Sequence, residues 1–482
     1  MTFLHLINTV WNRHRIHWSI LLTIAVALAL PARADQIDRF IERQLKKQNI
    51  PGLALAVVRE GKVTKVKGYG LADVELNVPV KTDSVFQWAS ISKQFTATAI
   101  QQLAQDGRLK LDDRISLHYT NAPVTWSNVT VFHLLTHTSG IKSYTGLPDF
   151  FATVRKDYRP EEIIGLVRDL PLEFLPGEKW DYSNTGYFLL GLILEKASGQ
   201  TYGDFLTERI FRPAGMATAR INQQFELIPN RATGYTSQSN RLVRSEFVSP
   251  TQPFSAGALV GTALDLAKWD AALYTDLILP RQAREEAWKP VRLSTGEDFP
   301  YGYGWQTGEL RGHPWVGHGG GIHGFSSFIL RLTRELLTVI VLINKDADPQ
   351  GMAISIAGHY VSELTLRTIK PQPDSEPALS QRLQQCLVDL AARKDSELIT
   401  PGFRRNFARS QRRHAALQED LRGLKSFTFL LEEKPARDQR EVEGVPITRL
   451  RSYRLRNGGE PRYYTFALTA ENKVGLVRAS DD

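Results

Sequence analysis

Residues 88–95 read Trp88-Ala-Ser90-Ile-Ser92-Lys93-Gln-Phe95 and place a serine and a lysine three positions apart at the start of a helical pattern. Beyond them, apolar residues recur at intervals of three or four as far as Leu103, and a glycine follows as an end signal. We therefore expect Ser90 and Lys93 in the first turn of a helix, with the ammonium group beside the hydroxyl. The backbone N–H groups of a first turn can also hold an oxyanion, so Ser90 is a candidate nucleophile.

The spacing alone also fits simpler roles. Ser90 could be an N-cap residue and Lys93 a solvated side chain. The same spacing joins Ser139 to Lys142, but that pair follows a glycine turn signal and opens no apolar-periodic helix. A nucleophile at Ser90 needs partners elsewhere in the chain.

The first 34 residues have the features of a cleavable export signal. Arg13 and Arg15 precede an apolar run over 18–30 that is too short to span a bilayer, and small residues at Ala32 and Ala34 form a cleavage site. We expect cleavage after Ala34 and export, to the bacterial periplasm or out of the cell. An uncleaved membrane anchor is the alternative.

The composition of the 482 residues is that of an ordinary globular protein, with 42% hydrophobic residues and room for two or more domains. The single cysteine, Cys386, excludes an intrachain disulfide and a cysteine-based metal site.

The predicted signal holds three arginines and no acidic residue, so its removal lowers the net charge from +9 to +6. The arginines over 404–413 fit a solvated helix face, and no nucleic-acid partner is predicted.

Helical and strand patterns divide the rest into a large domain (35–370), a proline-rich linker (371–380) and a small α+β domain of unknown role (381–482). In the large domain, strand patterns lie near both ends, at 53–59, 63–69, 315–319, 325–332 and 337–344, and mainly helical patterns fill 84–223. Thr262 and Asp265 form a capping box that opens another helix. These patterns predict one antiparallel sheet assembled from the two ends, helices on its faces and a helical insertion beside it. In the small domain, helical patterns run to about residue 424 and strands follow at 427–432, 447–455, 463–468 and 474–477.

Two further motifs offer partners for Ser90. Tyr182 and Asn184 lie two residues apart on a turn that precedes an apolar, buried helix. His318 lies on a predicted strand and is followed by Gly319, Gly320 and Gly321, which allow another backbone to approach closely. Taken singly, these residues also fit a core tyrosine, a turn residue and a satisfied strand histidine. The chain has no Gly-x-Ser-x-Gly elbow, so a Ser-His-Asp hydrolase lacks its main signal.

Taken together and in this order, Ser-x-x-Lys, Tyr-x-Asn and His-x-Gly resemble the motifs of the serine β-lactamase and penicillin-binding-protein superfamily. The resemblance is closest to the branch of class C β-lactamases, D,D-carboxypeptidases, D-aminopeptidases and family VIII esterases, and it covers roughly residues 35–370. Five further segments are similar to that family's framework: 50–58, 134–141, 175–184, 259–269 and 301–305. The resemblance implies a β-lactamase/transpeptidase-like α/β (α+β) fold with an all-helical subdomain.

The resemblance also implies an acyl-enzyme mechanism without metal or cofactor. In it, Ser90 attacks a carbonyl, and Lys93 and Tyr182 share its proton. Free lysine and tyrosine both have pKa values near ~10, so a Tyr182 phenolate beside a Lys93 cation is self-consistent, although a coupled pair need not hold one proton on one residue. The implied substrate contacts come from Asn184, which binds the substrate amide, from His318 and Gly320 on the opposite wall, and from the Ser90 and Gly321 amides as an oxyanion hole.

The third motif departs from class C β-lactamases, which carry Lys-Thr-Gly where this chain has His318-Gly-Gly320. A histidine is a weaker, pH-dependent anion site than a lysine, so we expect weak or absent β-lactam turnover. The leading interpretation is an exported serine hydrolase acting on an ester or a D-amino-acid amide or peptide, such as an esterase or a D-Ala-type carboxypeptidase or aminopeptidase.

Three alternatives stay open: a penicillin-binding or sensing protein of the same fold with little or no turnover, a weak class C-like β-lactamase, and a metallohydrolase. His133, His137, His318 and His323 fit no paired metal-ligand motif, which counts against the last. The predicted partner is a small-molecule or peptide substrate, with no stable membrane span after signal cleavage. The oligomeric state is left open.

Overall fold

The computed structural model describes residues 36–239, 241–408, 411–435, 441–442 and 444–480. The predicted export signal lies outside the described residues. Within these ranges, no helix is both long and apolar enough to cross a membrane.

The strands of the large domain confirm the sheet expected from the two ends of this region. The central sheet has seven strands in the order β11-β12-β13-β14-β1-β2-β3, and all its neighbours are antiparallel. The strands are β1 (Gly52–Arg59), β2 (Lys62–Asp73), β3 (Val78–Pro79), β4 (Phe86–Gln87), β5 (Arg220–Ile221), β6 (Tyr235–Gln238), β7 (Arg241–Arg244), β8 (Leu259–Gly261), β9 (Val291–Arg292), β10 (Asp298–Phe299), β11 (Gln306–Leu310), β12 (His313–Ile322), β13 (Phe325–Leu332) and β14 (Leu337–Ile343). The sequence did not predict strand β11. Its sequence Gln-Thr-Gly-Glu-Leu lacks the enrichment in β-branched and aromatic residues that is typical of strands.

The helices of the large domain lie mainly between β4 and β11, as the sequence pattern predicted. They are α1 (Gln36–Gln48), α2 (Ser92–Gln105), α3 (Val131–Leu135), α4 (Phe150–Thr153), α5 (Pro160–Arg168), α6 (Asn184–Ser198), α7 (Tyr202–Leu206), α8 (Phe254–Gly257), α9 (Ala263–Ala272), α10 (Arg281–Ala287) and α11 (Pro349–Gly358). Thr262 caps α9 through the predicted capping box with Asp265. Ser90 lies in a short 3-10 turn over Ala89–Ile91, directly before α2.

The central strands separate two hydrophobic cores. Along β1, Ala54, Ala56 and Val58 belong to the core shared with α2, α6 and α9, whereas Leu53, Leu55 and Val57 belong to the core shared with α1 and α11. This alternation follows from the two-residue period of a strand, and both faces are covered because helices pack on each side of the sheet.

The C-terminal part forms its own hydrophobic cluster. It contains α12 (Pro377–Ala391), α13 (Pro401–Ala408), α14 (Gln411–Leu421) and the strands β15 (Ser426–Glu433), β16 (Glu441–Val442), β17 (Val445–Pro446), β18 (Arg449–Arg456), β19 (Arg462–Leu468) and β20 (Val474–Ser480). Four of them form an antiparallel sheet in the order β15-β18-β19-β20. The predicted order of helices and then strands is therefore present, and residues 457–461 join β18 to β19.

The segment predicted as a linker is folded against this sheet. Helix α12 begins at Pro377, inside the predicted range 371–380. The fully buried guanidinium of Arg451 donates to Asp374 (2.6 Å), Glu376 (3.0 Å) and Glu432 (2.7 Å). These contacts fix the segment to the C-terminal sheet, because a buried guanidinium is stable only when its N–H groups have partners.

Strand β12 and the turn that holds Ser90 lie in close contact. A Cβ atom at Gly320 would lie 2.2 Å from the carbonyl oxygen of Trp88 and 2.4 Å from Ser327 Oγ, and the latter donates to that same carbonyl (2.8 Å). A Cβ atom at the next residue, Gly321, would meet nothing within 4 Å. Only glycine at position 320 therefore allows the strand to approach the Ser90 turn this closely.

The two glycines give a matched test of this contact. We expect Gly320→Ala to lower the free energy of unfolding by about 1–3 kcal/mol, because the backbone of Trp88 must move away from β12. Gly321→Ala should leave stability nearly unchanged. Urea unfolding of both variants measures the effect, and equal stability of the two would contradict the close contact.

Candidate active site

The amine of Lys93 is the centre of the site. The side chain is fully buried, and Nζ lies 2.8 Å from Asn184 Oδ1, 2.7 Å from the carbonyl oxygen of Ala256 and 3.1 Å from Ser90 Oγ. The alternative of a solvated lysine is therefore wrong. Asn184 Oδ1 and the Ala256 carbonyl oxygen can only accept, so each takes one N–H group of the amine. The third tetrahedral position of the nitrogen then points at the Ser90 hydroxyl.

The second motif faces the same amine from α6 and the turn before it. Nζ of Lys93 lies 4.8 Å from the ring centroid of Tyr182, whose hydroxyl interacts with the Ser90 side chain. Asn184 begins α6, accepts from Lys93 and donates through Nδ2 to Thr145 Oγ1 (3.0 Å). The structure thus brings Ser90, Lys93, Tyr182 and Asn184 together although ninety residues separate the two motifs.

The pKa shifts of Lys93 and Tyr182 favour a neutral amine and a neutral phenol. Burial lowers the pKa of Lys93 well below its ordinary value, and burial raises the pKa of Tyr182 above its ordinary value although the Ser90 hydroxyl opposes that shift. A neutral amine donates to Asn184 and to Ala256 and keeps a lone pair for the Ser90 proton. These two pKa directions favour the neutral pair over a Tyr182 phenolate beside a Lys93 cation.

His318 differs from the expected anion site. Its imidazole is buried, with Nε2 at 2.9 Å from the Tyr301 hydroxyl and Nδ1 at 2.6 Å from the carbonyl oxygen of Gly319. Burial, and to a smaller extent the neighbouring Lys93, lower the pKa of His318 to about 3. Both ring nitrogens are engaged within the protein, so this imidazole presents neither a charge nor a free donor to a substrate.

Backbone groups on both sides of Ser90 suit the expected oxyanion hole. From His318 onward, the edge of β12 that faces away from β13 has no partner in β11, whose pairing ends at Gly317. Gly321 is exposed on this stretch. Ala89, directly before Ser90, adopts a φ of +47°, a strained conformation for a residue with a side chain. The role of the Ser90 and Gly321 amides stays a prediction.

Several residues of the site were missed because only the fold brings them there. Ala256 supplies a carbonyl to Lys93, and Thr145 supplies a hydroxyl to Asn184. His137 and Tyr301 lie behind Tyr182, with the rings of His137 and Tyr182 4.3 Å apart. The last two belong to framework segments that resemble the family, and this resemblance was the available signal.

The competing motifs have structural roles. Ser139 Oγ accepts from the backbone of Ile141, and Lys142 pairs with Glu173 at 3.0 Å, so this second Ser-x-x-Lys is not a site. His133 accepts from the backbone N–H of Thr130 within a helix cap. In the part of the chain that the structure describes, no group of three or more His, Cys, Asp or Glu side chains could hold a metal ion.

Comparison with known proteins agrees with this fold and site. The family described as Beta-lactamase matches residues 37–357, so the chain belongs to the beta-lactamase family. It is 35% identical over 337 residues to Penicillin-binding protein 4* of Bacillus subtilis (strain 168), and the alignment covers 66% of this chain and 73% of that protein. The expected superfamily and its fold are thereby confirmed.

Two solved structures extend the comparison. The D-amino acid amidase from Ochrobactrum anthropi SV3, complexed with L-phenylalanine amide, superposes with a TM-score of 0.58 at 26% identity, over 68% of this chain and 96% of that one. The octameric penicillin-binding protein homologue from Pyrococcus abyssi superposes with a TM-score of 0.62 over 92% of this chain and 98% of that one; its 23% identity shows the fold alone. Penicillin-binding proteins and amidases among the relatives support a serine hydrolase in general.

The neutral state of Lys93 predicts a specific pH dependence of stability. Between the lowered pKa of the folded protein and the ordinary value of 10.5, the unfolded chain binds a proton that the folded chain lacks, so this group makes stability rise with pH. The variant Lys93→Met has no titrating group at this position, so its stability lacks this pH-dependent contribution. The free energy of unfolding of the wild type minus that of the variant should therefore increase from about pH 6 to about pH 10 in urea titrations.

The control for this experiment is Lys142→Met, which removes a lysine that is paired but solvent-exposed. Its difference from the wild type over the same range is the baseline for the Lys93→Met slope. A Lys93→Met slope no steeper than this baseline would mean that Lys93 keeps its proton in the folded protein.

Proposed function

We propose that this protein is a serine hydrolase that acts through a Ser90 acyl-enzyme on a neutral ester or a D-amino-acid amide or peptide. The observation that carries the proposal is the buried Lys93 amine, held by Asn184 and Ala256 and directed at Ser90 Oγ. A solvated or structural lysine would not need this arrangement. A general base works best when its pKa lies near the working pH, and burial moves Lys93 in that direction.

The proton transfers of the proposed reaction start from a neutral Lys93 amine and a neutral Tyr182 phenol. Lys93 takes the Ser90 hydroxyl proton while Oγ attacks the substrate carbonyl, and the Ser90 and Gly321 amides hold the oxyanion. Tyr182, which burial keeps protonated, donates its proton to the leaving oxygen or nitrogen. The proton on Lys93 then returns to the Tyr182 oxygen, and water releases the acyl group by the same steps in reverse.

The surroundings of the site favour an acyl substrate without a carboxylate beside the scissile bond. His318 occupies the third-motif position and presents no charge, because both ring nitrogens are bound within the protein. Asn184 can still donate from Nδ2 to the carbonyl oxygen of a substrate amide by exchanging its Thr145 contact. The similarity to a D-amino acid amidase supports an amide substrate, whereas the chemistry of the site serves esters equally well.

This environment predicts weak β-lactam turnover. Penicillins and cephalosporins carry a carboxylate that needs a fixed cation, and the neutral His318 cannot supply one. We expect nitrocefin hydrolysis to be absent or slow beside hydrolysis of p-nitrophenyl esters by the same preparation. Nitrocefin turnover at the rate of an efficient β-lactamase would contradict this expectation.

Export is the second part of the proposal. It is supported by the signal-like composition of residues 1–34, with cleavage after Ala34, and it places the enzyme in the bacterial periplasm or outside the cell. The likeness to a penicillin-binding protein is compatible with a cell-envelope substrate such as a peptidoglycan fragment.

The nucleophile can be tested directly by intact-mass spectrometry. The mature protein, Ser90→Ala and the decoy control Ser139→Ala are each treated with a fluorophosphonate and with a labelled penicillin, and hydrolysis of p-nitrophenyl esters and a D-alanyl anilide is measured. We expect Ser90→Ala to lose labelling and to lose about 10³-fold or more of its turnover, because a nucleophile acts as a unit with its base. Ser139→Ala should keep both.

The outcomes separate the candidate functions. Penicillin labelling of Ser90 without turnover would favour the penicillin-binding or sensing alternative, which the similarity to Penicillin-binding protein 4* supports. Fluorophosphonate labelling that survives in Ser90→Ala, or no fluorophosphonate labelling of the wild type, would overturn the proposed nucleophile.

A further inference from the structure

Three buried side chains behind the catalytic groups form a continuous hydrogen-bonded chain. His137, Tyr301 and His318 are each at most 2% exposed. His137 Nε2 lies 3.1 Å from the Tyr301 hydroxyl, which lies 2.9 Å from His318 Nε2. The two ends of the chain are backbone groups: Ser183 N–H at 3.1 Å from His137 Nδ1, and the Gly319 carbonyl at 2.6 Å from His318 Nδ1.

The backbone groups at the ends fix every proton in the chain. Ser183 N–H can only donate, so His137 Nδ1 accepts and its Nε2 carries the hydrogen. His137 therefore donates to Tyr301, and Tyr301 donates its own hydrogen to His318 Nε2. The remaining hydrogen of His318 is on Nδ1 and goes to the Gly319 carbonyl, which can only accept. A second proton on His137 would set its Nδ1 hydrogen against the Ser183 N–H, and a second proton on His318 would displace the Tyr301 hydrogen from Nε2, which agrees with the lowered pKa values of both rings.

The chain joins the two walls of the site. Ser183 lies between Tyr182 and Asn184, and the His137 ring also packs against the Tyr182 ring in a tilted arrangement, with the ring centroids 4.3 Å apart. Gly319 lies on β12, two residues before Gly321. The chain thus spans from the segment that carries the phenol and the amide to the strand that carries the expected oxyanion donor.

We propose that His137, Tyr301 and His318 are positioning residues that set Tyr182 and Asn184 at a fixed distance and orientation relative to β12. This inference rests on the proposed function for its catalytic consequence, and it replaces the expected substrate contact of His318 with a structural one. Tyr301 is the central residue of the chain, because its hydroxyl lies within hydrogen-bond distance of both imidazoles. Lys93, Tyr182 and Tyr187 are the other titratable groups that face the chain.

The chain makes a spectroscopic prediction that does not depend on activity. Long-range ¹H–¹⁵N correlation spectra should show His137 as the neutral Nε2–H tautomer and His318 as the neutral Nδ1–H tautomer at pH 7, with assignments from His137→Asn and His318→Gln. In Tyr301→Phe, His318 Nε2 loses its donor, so the ¹⁵N shift of this nitrogen should change while the Gly319 carbonyl keeps the Nδ1–H tautomer. An Nε2–H tautomer of His318, or its titration at the ordinary pKa of histidine, would overturn the chain.

The positioning role is tested with Tyr301→Phe against Tyr464→Phe, which removes another buried hydroxyl contact, to Asp420 in the C-terminal sheet (2.5 Å). We expect Tyr301→Phe to lower kcat by about 10- to 100-fold with little change in KM, since the displaced groups act on the reacting atoms. Tyr464→Phe should leave kcat unchanged. Equal kcat in the two variants would overturn the positioning role.

The two possible failures are distinguishable. If the fluorophosphonate does not label Ser90 in the wild type, the proposed function fails, and with it the catalytic consequence of the chain. If labelling and turnover are normal but the tautomers differ from those assigned, the proposed function stands and the chain is wrong.

Discussion

The burial of one amine constrains the whole site. An ammonium group without a carboxylate partner is costly in a dry environment, and the fold places Lys93 where its described hydrogen-bond partners are uncharged oxygens. The favoured state is then the neutral amine, which also has a lone pair available for the Ser90 proton. The elements that surround this amine are consequently tied together: the turn before α2, the start of α6 and the carbonyl of Ala256 must all keep their positions for the base to work.

Close packing of glycine against backbone makes this arrangement possible on the sheet side. Gly320 lets β12 lie directly against Trp88, while the Trp88 ring stacks on Phe95 in the core (5.5 Å). Ser90, the proposed nucleophile, is thus held between a strand edge and a helix that is buried along nearly its whole length. A strained φ at Ala89 is tolerated there because the surrounding contacts over-determine the turn.

The C-terminal part also contains a buried basic side chain, but this one is charged. Arg451 is as buried as Lys93 but keeps its charge. Burial lowers the pKa of the guanidinium, but its hydrogen bonds to Tyr453, Asp374 and Glu432 outweigh this and raise the pKa. Leu366 packs with Leu430, Leu431 and Tyr463 in one small cluster, so the end of the large domain also contacts this sheet. A buried basic side chain in this chain is therefore neutral where the fold brings no carboxylate to it, as at Lys93, and charged where carboxylates surround it, as at Arg451.

The sequence by itself determined the elements whose signals are local. Strand alternation in β1, the capping box at Thr262 and the apolar character of α6 each depend on neighbours within a few residues, and the three motifs with their framework segments determined the family. Only the tertiary structure decided the chemical state of the site. Whether Lys93 is charged, whether His318 faces a substrate and whether residues 371–380 are a free linker all depend on contacts between residues far apart in the chain, such as Lys93 with Ala256 and Arg451 with Asp374. Burial and hydrogen-bond partners set those states, and neither can be calculated from spacing along a sequence.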